Sequence, residues 1–137
     1  MFRHQLLNSN INLNPLVGDH NIELFELIKS NLDKNKIQLL FTESCKKGQL
    51  LIIKWLWQLE QNINIHANDE FAFRLACEKG HLEVIKWLWQ LDQNINIHVC
   101  DEYAFRWACA NGHLEVIKWL WQSNQNINIH ARDEYAF

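Results

Sequence analysis

Apolar positions in this chain recur on two scales, first at helical spacing and then at a fixed interval of 32 residues. Between residues 82 and 91, Leu82, Ile85, Leu88 and Trp89 form one stripe, widened by Val84 and Trp87. Glu83 and Lys86 fall on the other side at i and i+3, where they suit solvent and a weak pair. This spacing predicts an amphipathic helix over about 82–91, with Ile85 and Leu88 at the centre of its buried face. Ahead of it, Phe73, Ala76 and Cys77 mark the inner face of a shorter helix over about 70–78. Asp69 stands where an N-cap is wanted, and Glu70 where negative charge suits the helix dipole. Gly80 closes that helix as the left-handed residue common at helix ends. Beyond the second helix, Gln93-Asn94-Ile95-Asn96-Ile97 alternates polar and apolar residues. The alternation turns Ile95 and Ile97 inward and makes Asn94 the expected left-handed residue of the link.

The whole unit, 66–97, occurs again at 98–129 with 24 of 32 residues identical, and 34–65 matches the central unit at 17 of 32. Trp55, Trp87 and Trp119 keep the register. A fixed period of this size marks an all-α solenoid of stacked helix-turn-helix units. One such pair of helices has too little core to fold alone, so its apolar sides must be closed by neighbours. The predicted organisation is an N-terminal cap and degenerate repeat over 1–33, three repeats over 34–65, 66–97 and 98–129, and the start of an incomplete repeat over 130–137. Within 1–33, residues 1–7 read as a short capping helix and 8–15 as a turn-rich connection. Residues 21–30 read as a helix with Ile22, Phe25 and Ile28 on one face. Terminal repeats are atypical because one face lacks a neighbour. The break inside the fourth unit predicts an apolar end face, which a longer chain would cover or which would support self-association through the C-terminal end.

Composition narrows the function. A chain of 137 residues with 48% hydrophobic and 21% charged residues fits one globular domain. Its formal charge of −3 and pI of about 6.1 speak against sequence-independent nucleic-acid binding, which depends on phosphate neutralisation. There is no run of eighteen apolar residues, no basic amphipathic helix and no signal-peptide core at the N-terminus, so no membrane role is expected. Cys45, Cys77 and Cys109 recur at the repeat period. Equivalent residues then sit about 10 Å apart, one packed layer, which is too far for a disulfide. These cysteines and Cys100 are expected to be reduced and buried, which predicts an intracellular location. Trp87 and Trp89 lie roughly 200° apart around their helix. One is therefore expected in the seam between repeats and the other partly exposed.

The segment G-H-L-E-V-I-K-W-L-W-Q at Gly80–Gln90, repeated at Gly112–Gln122, resembles the second helix of the ankyrin family, commonly G-H-L-E-V-V-K-L-L. Ile95-Asn96 is similar to the Val-Asn of that family's connecting loop. The ankyrin first-helix motif T-P-L-H-x-A-A lies over Phe71–Cys77 and again over Tyr103–Cys109. The resemblance spans about residues 22–137 and is strongest over 66–129. The Thr-Pro start, the following His and the loop glycine are absent, and the period is one residue short. The resemblance therefore implies that the family's Thr–His hydrogen-bond network is replaced here by other groups. The wording D-E-[FY]-A-F-R-[LW]-A-C with G-H-L-E-V-I-K-W-L resembles ankyrin proteins of giant viruses of amoebae, which would place the chain in host cytoplasm.

A repeat protein binds through positions that can change without disturbing the stack. The two best-matched repeats differ at Ala67/Val99, Asn68/Cys100, Phe71/Tyr103, Leu75/Trp107, Glu78/Ala110, Lys79/Asn111, Leu91/Ser123 and Asp92/Asn124. Positions 71, 75 and 78 share one helix face, and the constant Phe73, Ala76 and Cys77 lie off it. The predicted partner-contacting residues are therefore Ala67, Asn68, Phe71, Leu75 and Glu78, with Val99, Cys100, Tyr103, Trp107, Ala110 and Asn111. Tyr103 and Trp107, one turn apart, are the strongest candidates for an interaction hot spot, against the alternative that they merely cover the neighbouring helix. Glu70, Arg74 and Arg106 are expected to supply polar register. The resemblance implies a non-catalytic module that binds a protein through this groove. It also makes Asn64, Asn96 and Asn128 candidate hydroxylation sites, since they match the loop asparagine of ankyrin asparaginyl hydroxylase substrates. A substrate or decoy role is thus an alternative, alongside self-assembly.

No catalytic constellation competes with this reading. His66, His98 and His130 would stack too far apart to share a metal. His81 and His113 stand at helix starts and are expected to act as local capping or hydrogen-bonding groups. Cys100 and Cys109 with His98 or His113 lack C-x-x-C or H-E-x-x-H spacing. No Ser-His-Asp arrangement or glycine-rich phosphate cradle is present, and no cofactor is expected.

Overall fold

The computed structural model describes residues 30–59, 62–123 and 126–130. The predicted cap, the helix over 21–30 apart from its last residue, and residues 131–137 lie outside them. Among the described residues six helices follow in chain order: α1 Lys34–Lys47, α2 Leu50–Leu59, α3 Ala67–Lys79, α4 Leu82–Leu91, α5 Val99–Ala110 and α6 Leu114–Ser123. The first helices of the three repeats, α1, α3 and α5, pack side by side, and each also packs on the helix that follows it. Among the described residues there is no strand. The architecture is the all-α solenoid that the 32-residue period predicts.

The periodic positions are buried as the pattern requires. Phe73 is 1% exposed, Ile85 0% and Leu88 1%, and Ile95 and Ile97 are buried in the link. Phe41, Phe73 and Phe105 occupy one position in successive repeats, all buried. Ala72, Ala76, Ala104 and Ala108 are also buried, and their small side chains let the inner helices approach closely. The weak i, i+3 pair forms in the third repeat, between Lys118 Nζ and Glu115 Oε1 at 3.8 Å.

Both tryptophans of α4 enter the seams, which corrects the expectation that only one of them would, whereas Trp121 of α6 is 44% exposed and lies against Phe105 of its own repeat. Trp87 meets Trp57 of the preceding repeat edge-on, with centroids 6.1 Å apart and planes at 88°. Trp89 meets Trp119 of the following repeat in the same way, at 5.7 Å and 87°. The two side chains do point in opposite directions, but a helix inside a stack has a neighbour on each side. Edge-to-face pairs of this kind are favoured by the ring quadrupoles. Phe73 joins the ladder against Trp119 at 6.4 Å.

The start of the first helix differs from its prediction. Asn68, Asp69 and Glu70 have φ of 54°, 54° and 61°, so α3 opens with a left-handed turn and becomes right-handed at Phe71. Cys100, Asp101 and Glu102 repeat this in α5 with φ of 55°, 54° and 60°. Asp69 is therefore part of the turn and not an N-cap, a position that needs extended backbone. Asn94 is not left-handed. Asp92 Oδ1 accepts the Asn94 N–H at 2.8 Å, a side-chain turn that carries the chain into the link without positive φ.

Gly80 does end α3 in the left-handed region, at φ 80°. It has a second reason to be glycine, because a Cβ there would fall 2.5 Å from His113 Nδ1 of the next repeat. His81 lies over Gly48 in the same way, and its Nε2 donates to the Lys46 carbonyl at 2.9 Å. His81 thus ties its repeat to the previous one and makes no side-chain cap on its own helix.

Cys45 and Cys77 are fully buried, Cys109 is half-buried, and all four thiols are free. Burial pushes the Cys45 thiol up to about 12 and the Cys77 thiol well above its ordinary value, so neither is a nucleophile near neutral pH. Cys100 is the exception to the expected burial and is exposed, because it falls in the left-handed turn.

Candidate functional site

Two sets of groups, built from the same turns, distinguish the inner side of the stack. The first is a polar joint between repeats. Glu70 is 6% exposed, and its Oε1 accepts from His66 Nδ1 at 2.7 Å and from the Asn96 N–H at 3.3 Å. Glu102 repeats this with His98 Nδ1 at 2.6 Å and the Asn128 N–H at 3.2 Å. In the first repeat Gln38 accepts the Asn64 N–H at 2.9 Å and donates to the Asn64 carbonyl at 3.0 Å. One position in each repeat, 38, 70 and 102, therefore clamps the link 26 residues further on.

Arginine completes the joint. Arg74 donates from Nε to the Asp69 carbonyl at 2.8 Å and from Nη2 to the Asn68 carbonyl at 3.0 Å. Arg106 does the same to Asp101 and Cys100 at 2.6 and 3.1 Å. These residues stand where the resemblance puts the family's histidine, and the His–Glu–Arg set takes over the missing Thr–His network. Glu70 and Arg106, expected to give polar register to a partner, are corrected to structural groups. Each is 6% exposed and engaged by its own chain. Arg74 remains half-exposed.

Asn64, Asn96 and Asn128 lie in the clamped links with exposed side chains. Each Oδ1 accepts the backbone N–H two residues on, from His66, His98 and His130, at 2.9, 3.0 and 3.0 Å. The three form the same side-chain turn.

His66 differs from its counterparts because Asp92 Oδ2 lies 2.8 Å from its Nε2 while Glu70 holds Nδ1. Both ring nitrogens face carboxylates, an arrangement only the doubly protonated imidazolium satisfies with two donors. Burial works against the charged ring, but the bonds to Glu70 and Asp92 outweigh it and raise the pKa above 6.5. Asp92 is lowered, first by the Asn94 N–H and then by His66. The signs follow from linkage. The His66 contribution is complete below its unfolded value of about 6.5 and is lost as pH rises through the raised folded value. The Asp92 contribution is present above its unfolded value and is lost as pH falls through the lowered one. Urea stability of the chain should therefore exceed that of His66→Asn by a margin that shrinks as pH rises through the raised His66 pKa. A margin that does not change between pH 6 and pH 9 would show that His66 is not charged in the fold.

The second set is the groove face of α1, α3 and α5. Leu39, Phe71 and Tyr103 form one row across the three repeats, and Glu43, Leu75 and Trp107 the next. The Arg74 guanidinium carbon lies 5.2 Å from the Phe71 centroid and 4.7 Å from that of Tyr103. Both distances are within cation–π range. Tyr103 and Trp107 are stacked at 5.8 Å with planes tilted by 39°. The Tyr103 hydroxyl donates to Glu78 Oε2 at 3.2 Å, and Asn111 Nδ2 donates to the Glu78 carbonyl at 3.0 Å. Burial, with Glu78 nearby, raises the Tyr103 pKa and keeps the hydroxyl protonated.

All eleven predicted contact residues fall on this face or its turns, but not all are open. Asn68, Cys100, Ala110 and Asn111 are exposed, and Ala67, Phe71, Glu78, Val99, Tyr103 and Trp107 are half-buried. Leu75 is corrected to a packing residue, 7% exposed, because the central repeat is covered from both sides. Leu39, 67% exposed, belongs to the face although the comparison of two repeats did not reach it. Carrying the 32-residue register back from Phe71 would have found it.

Among the described residues no three or more His, Cys, Asp or Glu side chains are grouped to hold a metal ion. None of the described helices is long and apolar enough to cross a membrane. With stacked helix pairs, turns joined by His–Glu pairs and a groove of variable positions in place, the class is that of a repeat scaffold. The family described as Ankyrin repeats (3 copies) matches residues 41–133, and the chain belongs to the ankyrin-repeat family. No curated protein and no solved structure matches the chain. Ankyrin stacks are non-catalytic scaffolds for protein–protein interaction.

Proposed function

We propose that this chain binds a protein partner through the face of α1, α3 and α5, with Tyr103 and Trp107 as its anchor. The observation that supports this is the stacked pair itself. Two large aromatic rings sit half-buried on the face where the repeats differ from one another, with Arg74 beside them. Rigid aromatics flanked by an arginine carry much of the energy of typical interfaces. A photoreactive residue at position 107 should crosslink a discrete protein in cells, and the same group at Gln122 on the outer helix should not. Trp107→Ala should weaken the recovered complex about tenfold with far-UV circular dichroism unchanged. Loss of helicity in that variant would make Trp107 a folding residue and remove it from the interface.

A further inference from the structure

We infer that the groove takes a polypeptide segment that is acidic at one end and apolar at the other. Its carboxylates lie over α1 and its apolar side chains over α5. This rests on the protein-binding reading above and adds the chemistry of the partner.

The observation is a gradient that runs the same way in several rows. The turn-tip row reads Lys36, Asn68, Cys100. At the far ends of the inner helices the rows read Lys46, Glu78, Ala110 and Lys47, Lys79, Asn111. Each row begins with lysine in the first repeat and ends without charge in the third. The groove rows turn aromatic in the same direction, from Leu39 to Tyr103 and from Glu43 to Trp107, with Glu43 a single carboxylate beside the three lysines of the first repeat. In the third repeat the only arginine of the inner helix, Arg106, is buried and occupied by turn carbonyls.

The cationic end is not a by-product of general basicity, because the whole chain carries a formal charge of −3. Nor are its lysines neutralised, since Lys36, Lys46 and Lys47 make no ion pair among the described residues. Between the two ends, Arg74 spends two of its five N–H groups on the turn and stacks on Phe71 and Tyr103. Its remaining donors suit a carboxylate or a main-chain carbonyl of a segment lying across it. Inner helices are about 10 Å apart, so first to third repeat spans about 20 Å. That corresponds to roughly six residues of extended chain.

Three fluorescein-labelled twelve-residue peptides test this with the full chain, by anisotropy at low and moderate salt. One has four glutamates followed by leucine and phenylalanine, one has lysines in place of the glutamates, and one has serines there. The acidic–apolar peptide should bind at least about tenfold more tightly than the other two, with the preference reduced by salt. Lys46→Glu with Lys47→Glu should remove the preference and leave the serine peptide unaffected, whereas Trp107→Ala should weaken all binding. Lys46→Gln with Lys47→Gln gives the same reading without placing negative charge at the helix C-terminus, should the glutamate variant fail to fold. Equal binding of all three peptides, still weakened by Trp107→Ala, overturns the acidic partner and leaves the groove standing. Binding unaffected by Trp107→Ala in a variant of normal helicity overturns both. Equally tight binding of a single-stranded oligonucleotide of matching charge overturns the inference in favour of a general polyanion site.

Discussion

Replacing Phe73 by alanine is expected to remove about 3–5 kcal/mol of folding stability. The side chain is 1% exposed and sits midway along α3, the inner helix of the central repeat. It also belongs to the aromatic ladder, with Trp119 of the next repeat 6.4 Å away. The cavity would therefore open within one repeat and at a junction. In a stack held by nearest-neighbour contacts, weakening the centre uncouples both sides. Domains are commonly stable by only about 5–15 kcal/mol, so this single change should remove much of the total. Phe105→Ala, at the same position one repeat on, should cost less and fray its end of the stack first. Urea denaturation monitored by tryptophan fluorescence reads both. A midpoint for Phe73→Ala within error of the parent would show that the inner face of α3 does not hold the core.

The features legible in the sequence were those set by period and helical spacing. The bounds of α4, the burial of Ile85 and Leu88 and the inward Ile95 and Ile97 follow from apolar positions alone. The left-handed turn did not, because local signals for positive φ are glycine and asparagine. Asn68 carries that signal, but Asp69 does so weakly and Glu70 not at all. Their conformation is imposed by side chains from elsewhere, Arg74 on the turn carbonyls and the Glu70 carboxylate on His66 and the next link. Trp87 and Trp89 do point to opposite sides of α4, and both are covered because a stacked helix has two neighbours.

The candidate face shows the same division. Comparing repeats separated constant from variable positions, and the variable ones did fall on one face. The same logic, applied to polar residues, would have found the joint. Glu70 and Glu102 are identical, as are Arg74 and Arg106, and constancy within the stack here meant packing and not contact with a partner. Variation was the weaker guide at Leu75, whose exposure depends on its place in the middle of the stack.

Glu70→Ala is expected to cost about 2–3 kcal/mol, because it leaves a half-buried donor of the link and the His66 ring without their acceptor and releases a strained turn. Three successive left-handed residues carry an intrinsic penalty of roughly 1–2 kcal/mol each, so the turn persists only while its surroundings hold it. Glu70 supplies much of that hold through His66 and the Asn96 N–H. The chain contains its own control. Gln38 performs the same clamp without charge, accepting the Asn64 N–H and donating to its carbonyl. Glu70 Oε2, by contrast, is buried with no hydrogen-bond partner. Glu70→Gln should therefore cost less than half as much as Glu70→Ala, and it should lessen the pH dependence attributed to His66. Hydrogen exchange at the Asn96 amide separates the two variants, with protection lost in the alanine variant and largely kept in the glutamine one. The effect should reach the groove, because the carbonyls of Asn68 and Asp69 hold Arg74 against Phe71 and Tyr103. If both variants lose less than about 0.5 kcal/mol and Asn96 stays protected, the turn is held by Arg74 alone and the carboxylate is dispensable.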